Sequence, residues 1–467
     1  MNIIERIELH AQHHPMKQAL QFDDHIYTYK ALIEVIEERA TLLEALPRGS
    51  CVALYIQTPM EMLVNYLALH KQGCLPCVLD GQWPQSRVTM LVERYDIPYI
   101  VKEQRGERVE LYRTVAFGDM DARTDIHTAQ LLHIGFTSGT TGLPKAYYRD
   151  MHSWLCSFEQ NEQLWQTEVS QLVAPGPLAH SLSLYVSIYA LYYGYRFLGQ
   201  SVFDAQQLIA HMDASKDKQA LFVVPTMLYA LHRERRTLDN VTHILTTGAK
   251  LEPALYDAIP HVCPHAHVIE FFGSSEASFI GYNLNRTAPV TSVGRPFDNV
   301  EVIIQSPNEA GVGSLFVRSD MVFSGYVNEK PVVNHTVAVG DLACVDKHGY
   351  LYLKGRQNDM MIIGGKNIYP SEIETCISNH FNVDEMFVFG VPHKQFGERA
   401  ILLYTGDTQL SYQDVRTVVM SHLSRYHVPS KCIRVAEMRY TSSGKIARHE
   451  MKEAYLKEER SLWDNQS

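Results

Sequence analysis

Short apolar runs alternate with amphipathic segments through the first 300 residues of the chain. Residues 51–56 predict a buried strand, residues 60–71 a helix, residues 75–79 a second strand and residues 87–95 a second helix. Later strand-like runs, each followed by a loop or a helix start, cover residues 221–224, 243–247 and 268–272. Because strands that alternate with helices build layered sheets, this pattern predicts an α/β architecture.

The pattern changes after residue 300. The next stretch carries shorter strand-like runs between glycine-rich turns, at residues 301–304, 314–318 and 350–353. These runs predict a small β-rich subdomain. A polar break at residues 357–359 precedes a new alternation, with predicted helices at residues 372–380 and 412–423 around a predicted strand at residues 385–389. We therefore predict a domain boundary at this break, which separates residues 1–356 from residues 357–467.

Composition limits the classes of protein. The 467 residues exceed what one core holds, and 46% hydrophobic with 20% charged residues is typical of a soluble globular protein. A formal charge of −10 argues against a dedicated nucleic-acid or anionic-membrane surface. Charges within the N-terminal apolar stretch argue against a secretory signal, and the eight scattered cysteines are typical of a reduced, cytoplasmic protein. Cys74 and Cys77 form one close pair, but no second pair completes a zinc site, so we predict a buried strand there.

One long stretch, residues 169–195, has no Asp, Glu, Lys or Arg. Prolines, a glycine, His180 and several serines interrupt its first half, which argues against a transmembrane segment. Residues 182–193 remain as a continuous apolar helix. This helix is predicted to be buried in the core or to form the wall of an apolar pocket.

A dense set of anion-binding groups lies at residues 137–145, Thr-Ser-Gly-Thr-Thr-Gly-Leu-Pro-Lys, directly after the apolar run 131–136. Glycines let backbone N–H groups approach a ligand, hydroxyls add donors, and the lysine neutralises the charge they gather. The spacing differs from the Walker pattern, so a P-loop ATPase is not predicted. A polar surface turn is the alternative, but the preceding strand and the final lysine favour a phosphate-binding loop.

Further motifs follow this loop in a fixed order. They occupy residues 176–180, 224–228, 247–251, 272–276, 293–296, 323–326, 340–342, 355–356, 364–372 and 443–445. This series resembles the adenylate-forming superfamily of acyl-CoA synthetases, carrier-protein adenylation domains and luciferases, and most closely small bacterial long-chain fatty acid–CoA ligases. The resemblance implies a large N-terminal AMP-binding region of two α/β subdomains plus a distorted β-barrel, followed by a small, mobile α+β C-terminal lid domain.

The resemblance also implies roles for individual residues in binding ATP and Mg²⁺. The loop would hold the β- and γ-phosphates, Glu276 would ligate Mg²⁺, Asp341 would accept hydrogen bonds from the ribose, and Arg356 would contact ribose or phosphate unless it forms a structural ion pair. Phe272, where most members carry Tyr, would face the adenine, and Ser275 replaces the usual Thr. The complete implied ATP set is Thr137, Ser138, Gly139, Thr140, Thr141, Gly142, Lys145, Gly248, Ala249, Lys250, Phe272, Gly273, Ser274, Ser275, Asp341, Arg356 and Lys445.

Three further roles come from the same resemblance. Lys445 would bridge the carboxylate and the α-phosphate during adenylation, and it is an implied catalytic residue together with Thr137 and Glu276. The hinge of the C-terminal domain corresponds to Asn358, where Asp is usual. Substrate-binding positions are His180, Thr247, Gly364 and Gly365, the two glycines bordering a pantetheine tunnel for CoA or forming a simple turn.

The substrate is predicted from what the sequence lacks. In relatives that activate amino acids, the resemblance places an acidic residue near His180 to pair with the α-amine, and the region after His180 has none. The resemblance therefore implies a plain carboxylic acid, with a fatty acid favoured over an aromatic one. The implied activity is an ATP-dependent acyl-CoA ligase that uses Mg²⁺ and CoA. The alternatives are an enzyme that loads a carrier-protein phosphopantetheine, and a non-catalytic acyl- or nucleotide-binding protein that has kept the fold.

Overall fold

The computed structural model describes residues 1–104, 109–114, 130–137, 144–440 and 446–457. Its helices are α1 Ile3–His13, α2 Tyr29–Leu42, α3 Pro59–Lys71, α4 Gln85–Arg94, α5 Met151–Glu162, α6 Ser181–Tyr193, α7 Ala205–Asp213, α8 Pro225–Arg233, α9 Pro253–Val262, α10 Pro370–Ser378, α11 Tyr412–His422 and α12 Arg448–Leu456. Short 3₁₀ turns occupy Gln357–Asp359 and Arg425–His427.

The strands in chain order begin with β1 Gln18–Phe22, β2 His25–Thr28, β3 Cys51–Tyr55, β4 Leu75–Val78, β5 Tyr99–Glu103, β6 Val109–Arg113, β7 Leu131–Thr137, β8 Lys145–Asp150, β9 Gln171–Val173, β10 Arg196–Gly199, β11 Gln219–Val223, β12 Val241–Thr246, β13 His267–Ser274 and β14 Ser278–Leu284. The remaining strands are β15 Arg295–Pro296, β16 Glu301–Gln305, β17 Gly313–Arg318, β18 Gly325–Tyr326, β19 Thr336–Val345, β20 Leu351–Arg356, β21 Met361–Ile363, β22 Lys366–Ile368, β23 Met386–His393, β24 Gly397–Tyr404 and β25 Lys431–Arg434.

The described chain divides into two compact units. The first contains residues 1–104, 109–114, 130–137, 144–301 and 318–337, and the second contains residues 302–317, 338–440 and 446–457. The prediction of strands and helices from the apolar pattern is confirmed in both units, for example at β3, α3 and β4.

Two sheets build the first unit. One has nine strands in the order β15-β14-β13-β12-β11-β9-β10-β1-β2, and the other has seven in the order β18-β8-β7-β4-β3-β5-β6. The strands β9 to β13 run parallel, with Val223 of β11 opposite Thr246 of β12 and Thr246 opposite Glu270 of β13. Because parallel strands end at the same edge, the loops after β9, β11, β12 and β13 share one edge of this sheet.

Apolar side chains between the sheets and the helices form the core of the first unit. Val223, Ile244 and Leu251 are buried against helices of the nine-stranded sheet. Cys77 is buried in the core of the other sheet, and Cys74 beside it is also buried. The prediction of a buried strand is confirmed for Cys77, since β4 spans Leu75–Val78, whereas Cys74 is buried directly before the strand.

The second unit contains a four-stranded sheet, β16-β17-β19-β20, and a sheet of β22, β21, β24 and β23 with β25 paired to β24. Tyr369, before α10, packs on Leu342 of the four-stranded sheet and on Val312, directly before β17. The β-rich subdomain predicted as a distorted barrel is therefore an open sheet in the described residues. Closure would require pairing between its two outer strands, β16 and β20, and no local pattern of side chains encodes that pairing.

Candidate functional site

The predicted phosphate loop connects the two strands of a hairpin in the first unit. Thr137 ends β7, Lys145 begins β8, and these two residues pair across the antiparallel ladder. Residues 138–142, with Ser138, Gly139, Thr140, Thr141 and Gly142, lie outside the described residues. The hairpin therefore fixes both ends of the loop, with the lysine at its exit.

Tyr326 joins the exit of this loop to the predicted metal ligand. It lies on β18, which pairs with β8 so that Tyr326 is opposite Tyr147. The Lys145 ammonium lies 4.8 Å from the centre of the Tyr326 ring. On its other side the Tyr326 hydroxyl donates a 2.6 Å hydrogen bond to Oε1 of Glu276. Lys145 also forms a half-exposed ion pair with Glu329, at 3.3 Å between Nζ and Oε1.

Glu276 lies at the tip of the β13–β14 hairpin. Six successive residues, 271–276, are half-buried between the buried strand residues before them and the buried Ala277 after them. Gly273 makes this tip possible, because a Cβ there would lie 2.2 Å from the carbonyl oxygen of Ser278. The Ser274 hydroxyl accepts a 3.1 Å hydrogen bond from the backbone N–H of Ala277 and closes the turn.

A buried arginine supports the hairpin tip from below. Arg149 on β8 donates to the carbonyl oxygens of Ser275 and Met321, the latter at 2.9 Å, and to the Ser153 hydroxyl at 3.3 Å. Burial lowers the pKa of Arg149 and raises the pKa of the neighbouring Tyr147 phenol. The Arg149 cation, which backbone carbonyls hold next to Glu276, therefore contributes a positive potential at the Glu276 carboxylate.

The predicted adenine-edge residues follow β12 at the shared carboxyl edge of the sheet. Gly248 has a φ of +91°, which L-residues rarely adopt and which turns the chain after Thr247. The Lys250 ammonium donates 2.6 Å to the carbonyl of Ser292 and lies 3.9 Å from Glu270. The Lys250 side chain is thereby engaged within the protein, which leaves the backbone groups of residues 248–250 for a ligand at this edge. Phe272 is half-buried on the neighbouring strand β13.

His180 precedes α6, and the loop that carries it follows β9 at the same edge. The apolar helix predicted at residues 182–193 is confirmed as α6, which ends at Gly194 in a left-handed conformation. Nine of its residues are buried, and Tyr185 packs against Trp154, Phe158 and Phe279. These contacts place α6 in the core of the first unit, and its role as the wall of an apolar pocket stays a prediction.

In the second unit, Asp341 and Arg356 pair across the β19–β20 ladder. The Arg356 guanidinium lies 3.3 Å from the Asp341 carboxylate and donates 3.0 Å to the carbonyl of Val339. Asp341 is buried, while the Arg356 side chain is half-exposed. The ion pair that competed with nucleotide binding as a role for Arg356 is thus formed in this structure.

The predicted hinge and tunnel residues lie in the same unit. Asn358 occupies the 3₁₀ turn after β20. Gly364 and Gly365, between β21 and β22, have φ of +60° and +73°. A Cβ at Gly364 would lie 2.6 Å from the Tyr426 ring, whereas a Cβ at Gly365 meets no atom within 4 Å. The two glycines therefore differ, since one has a ring against it and the other faces open space.

Lys445 lies outside the described residues, but the residues on either side of its segment are described. Tyr440 and Ile446 form a β-bridge, and the N–H of Ala447 donates 2.7 Å to the carbonyl of Arg439. Arg448 then binds Glu374 at 3.0 and 3.1 Å. These contacts hold the base of the segment on the second unit.

Sequence reasoning missed three residues of the first unit. It assigned no role to Arg149, to Glu329 or to Tyr326, although Tyr326 ends the quoted motif at residues 323–326. A signal was available for Tyr326, since that motif lay unexplained between two assigned ones. The backbone contact of Arg149 with Ser275 had none, because it joins strands that are 126 positions apart.

Comparison with known proteins identifies the class of protein to which this chain belongs. The chain belongs to the AMP-binding enzyme family: the model described as "AMP-binding enzyme" matches residues 7–327, and the "AMP-binding enzyme C-terminal domain" matches residues 372–445. The predicted resemblance to the adenylate-forming superfamily is confirmed. The predicted boundary at residues 356/357 falls in the interval between the two matches and stays a prediction.

Individual relatives agree with this class. The chain is 41% identical over 454 residues to a Staphylococcus epidermidis protein named as a long chain fatty acid-CoA ligase, VraA, covering 97% of this chain and 98% of that protein. The fold is similar to that of O-succinylbenzoate coenzyme A synthetase (MenE) of Bacillus subtilis in complex with ATP and magnesium ion, with a TM-score of 0.80, 22% identity and coverage of 96% and 99%. It is also similar to ATP-bound MatB of Rhodopseudomonas palustris, with a TM-score of 0.83, 22% identity and coverage of 97% and 99%.

None of the described helices combines the length and the apolar character that crossing a bilayer requires.

Proposed function

We propose that this protein activates a carboxylic acid with ATP and transfers the acyl group to the thiol of CoA. The observation that carries the proposal is the chain of contacts from Lys145 through Tyr326 to Glu276. Lys145, at the exit of the glycine-rich loop, and Glu276, on the hairpin tip, both contact Tyr326. This is the pairing of charges that a Mg²⁺-bound triphosphate requires.

The donor set at the hairpin tip fits Mg²⁺. Magnesium prefers hard oxygen ligands and commonly binds one or two protein carboxylates together with phosphate oxygens. Glu276 supplies a half-buried carboxylate whose position is fixed by the Tyr326 hydroxyl. When bound there, the ion would neutralise charge on the phosphate oxygens. Lys145 would compensate further negative charge once it leaves Glu329.

The first step forms a bond between a substrate carboxylate oxygen and the α-phosphorus of ATP, while the bond to pyrophosphate breaks. Both reactants are anions, so the protein acts mainly by neutralising charge and by aligning the two groups. Lys445 would bridge the carboxylate and the α-phosphate, and Phe272 with residues 247–250 would hold the adenine. Asp341 would bind the ribose hydroxyls, which requires Arg356 to share its carboxylate.

In the second step the CoA sulfur attacks the acyl carbonyl, AMP leaves and a thioester remains. A narrow passage for the pantetheine arm tolerates no side chain, and Gly364 and Gly365 would border that passage. Asn358 would be the hinge of the domain that brings them into place. The name of the VraA relative supports a long-chain fatty acid as the substrate.

The test of the first step is ATP–pyrophosphate exchange measured with short, medium, long-chain and aromatic acids. We expect exchange that depends on acid and Mg²⁺, strongest with a long-chain acid. Absence of exchange with every acid would instead support a non-catalytic binding protein. Measuring thioester formation with free CoA and with a carrier protein as the acceptor distinguishes a CoA ligase from a carrier-loading enzyme.

The test of the catalytic lysine separates the two steps. We expect Lys445→Ala to slow acyl-adenylate formation by a barrier of roughly 3–4 kcal/mol or more, and to leave thioester formation from supplied acyl-adenylate intact. Equal loss in both steps would contradict the assignment.

The glycine pair offers a matched test of the second step. Gly364→Ala places a methyl against Tyr426, whereas Gly365→Ala adds only the strain of a positive φ. If the pantetheine passage runs along the open space beside Gly365, then Gly365→Ala should slow thioester formation and leave adenylation unchanged. Parallel loss of both steps in Gly365→Ala would instead indicate a turn with a structural role.

A further inference from the structure

Three metal-ligating side chains converge in the second unit, at the C-terminal ends of two packed helices. Cys376 lies in the last turn of α10, His380 follows that helix, and His422 is the last residue of α11. The Cys376 sulfur and a ring nitrogen of each histidine all lie within 4.8 Å of one another. The two imidazole rings are 4.3 Å apart between centres, with an angle of 55° between their planes.

We infer that Cys376, His380 and His422 form a binding site for a divalent zinc ion on the surface of the second unit. This inference is independent of the proposed function, because none of the three residues has a role in it. Thiolate and imidazole are the preferred ligands of Zn²⁺, and three protein ligands with one water complete a tetrahedral site.

Hydrogen bonds to the backbone orient both histidines as ligands. Nδ1 of His380 lies 2.8 Å from the carbonyl oxygen of Cys376, and Nδ1 of His422 lies 3.0 Å from that of Val418. Nδ1 of His422 also lies 2.9 Å from the Ser421 hydroxyl. A carbonyl oxygen only accepts, so a proton on Nδ1 of each ring satisfies these contacts and leaves the lone pair on Nε2 for a metal. Metal-binding histidines are commonly held in this way through the ring nitrogen that does not touch the metal.

The electrostatic surroundings favour a cation. The last carbonyl groups of a helix carry partial negative charge, and here the ends of α10 and α11 meet at the three side chains. The Cys376 sulfur lies 4.0 Å from the carbonyl oxygen of Val418, which brings the two last turns into contact. Among the described residues no acidic side chain pairs with His380 or His422, so an acid–histidine pair does not account for their position.

Accessibility agrees with binding from solution. Both histidines are exposed, whereas Cys376 is buried at the base of the site. An ion arriving from solvent would meet the imidazoles first and the sulfur last. Capping of the helix carbonyls explains why each Nδ1 faces the backbone, but it does not explain why the sulfur and both rings converge.

The experiment uses the full-length chain without a histidine tag, stripped of metal by a chelator. Zinc titration by calorimetry should show one tight equivalent per chain. Substitution of Co²⁺ should give tetrahedral d–d bands and a cobalt–thiolate charge-transfer band, which identifies Cys376 as a ligand. Absence of the thiolate band in the wild-type protein would overturn the inference.

Three variants locate the ion. His380→Asn and His422→Asn change exposed residues, so folding is retained, and each should weaken zinc binding by more than the roughly 10–100-fold that loss of an outer hydrogen-bond partner costs. Cys376→Ser should abolish the thiolate band. His348→Asn, at an exposed hairpin turn of the same unit, is the matched control and should bind like the wild type. Unchanged affinity in both His380→Asn and His422→Asn would also overturn the site, even if Cys376→Ser fails to fold.

Discussion

Two carboxylates six positions apart on the β13–β14 hairpin have opposite surroundings. Glu270, in the body of the strand, accepts from the backbone N–H of Leu251 at 3.2 Å and from Arg286 at 3.3 Å, and Lys250 lies 3.9 Å away. Glu276, at the tip, accepts from the Tyr326 hydroxyl at 2.6 Å, which is its one carboxylate partner among the described residues.

The difference separates a structural acid from one suited to bind a ligand. The side chain of Glu270 is only 10% exposed, and its charge is compensated by two cations within the protein. Glu276 is half-buried and accepts from one neutral donor, so the described residues leave its other acceptor positions unfilled. An acid in a motif is therefore best judged by how many of its acceptor positions the protein itself fills.

The largest expected effect is the loss of stability when Glu270, the structural acid, is replaced. Glu270→Ala leaves the mostly buried Arg286 without its counter-ion and should lower the free energy of unfolding by about 3–5 kcal/mol. Urea unfolding of the full-length protein measures this loss. Glu270→Gln keeps an acceptor for the Leu251 N–H and should cost less; equal loss in both variants, or a loss below about 1 kcal/mol, would contradict the interpretation.

The second largest expected effect is the loss of activity when Glu276 is replaced. Glu276→Gln should slow acid-dependent pyrophosphate exchange by about 10²–10³-fold, because a neutral amide is a poor magnesium ligand, while stability changes by less than about 1 kcal/mol. Exchange at increasing Mg²⁺ concentrations measures it. Glu329→Gln, at the exposed ion pair with Lys145, is the control and should retain exchange. A Glu276→Gln enzyme with normal Mg²⁺ dependence would remove the distinction between the two carboxylates.

The third prediction concerns the pH dependence of stability and the buried His243, whose two ring nitrogens both have hydrogen-bond partners. Nε2 of His243 accepts 2.9 Å from the N–H of Gln166, and Nδ1 bonds the Thr242 hydroxyl. Burial, with a smaller contribution from His267, lowers the pKa of His243 from 6.5 to about 4. Between these values the unfolded chain binds a proton that the folded chain does not, so stability is full above pH 6.5 and is lost as pH falls toward 4.

The expected slope is up to about 1.4 kcal/mol per pH unit for one such group. Urea unfolding at several pH values gives the slope, and His243→Asn should reduce it. The exposed His348→Asn is the control and should leave it unaltered. If the slope of His243→Asn equals that of the wild type, the native imidazole is not held neutral.

The smallest effect tests what holds Glu276. Tyr326→Phe removes one hydrogen bond but keeps the ring beside Lys145, so it should cost about 0.5–1.5 kcal/mol, or roughly a two- to tenfold slower adenylation. The Mg²⁺ concentration for half-maximal exchange should rise in the variant. Loss as large as that of Glu276→Gln would show that Tyr326 does more than orient the carboxylate.

The elements that local pattern encodes were predictable from the sequence. The alternation of apolar runs predicted β3, α3, β4 and α6 because each depends on neighbours within a few residues. The sequence did not decide whether α6 is core or pocket wall, nor whether Arg356 is paired. Both depend on side chains from distant segments.

The same limit applies to the site. The order of motifs predicted Glu276 and Lys145, but the contact between them runs through Tyr326, 50 positions beyond Glu276. Such a contact follows from the pairing of β18 with β8, and strand order over that distance leaves no periodic trace. The open four-stranded sheet, expected as a barrel, escaped prediction for this reason as well.

In the proposed function, the ion pair between Lys145 and Glu329 would compete with the triphosphate for the lysine. An arriving triphosphate would have to displace the Glu329 carboxylate from the Lys145 ammonium. Since exposed ion pairs are worth only about 0–1 kcal/mol, this competition would weaken nucleotide binding by no more than about fivefold. Release of pyrophosphate would then restore the ion pair.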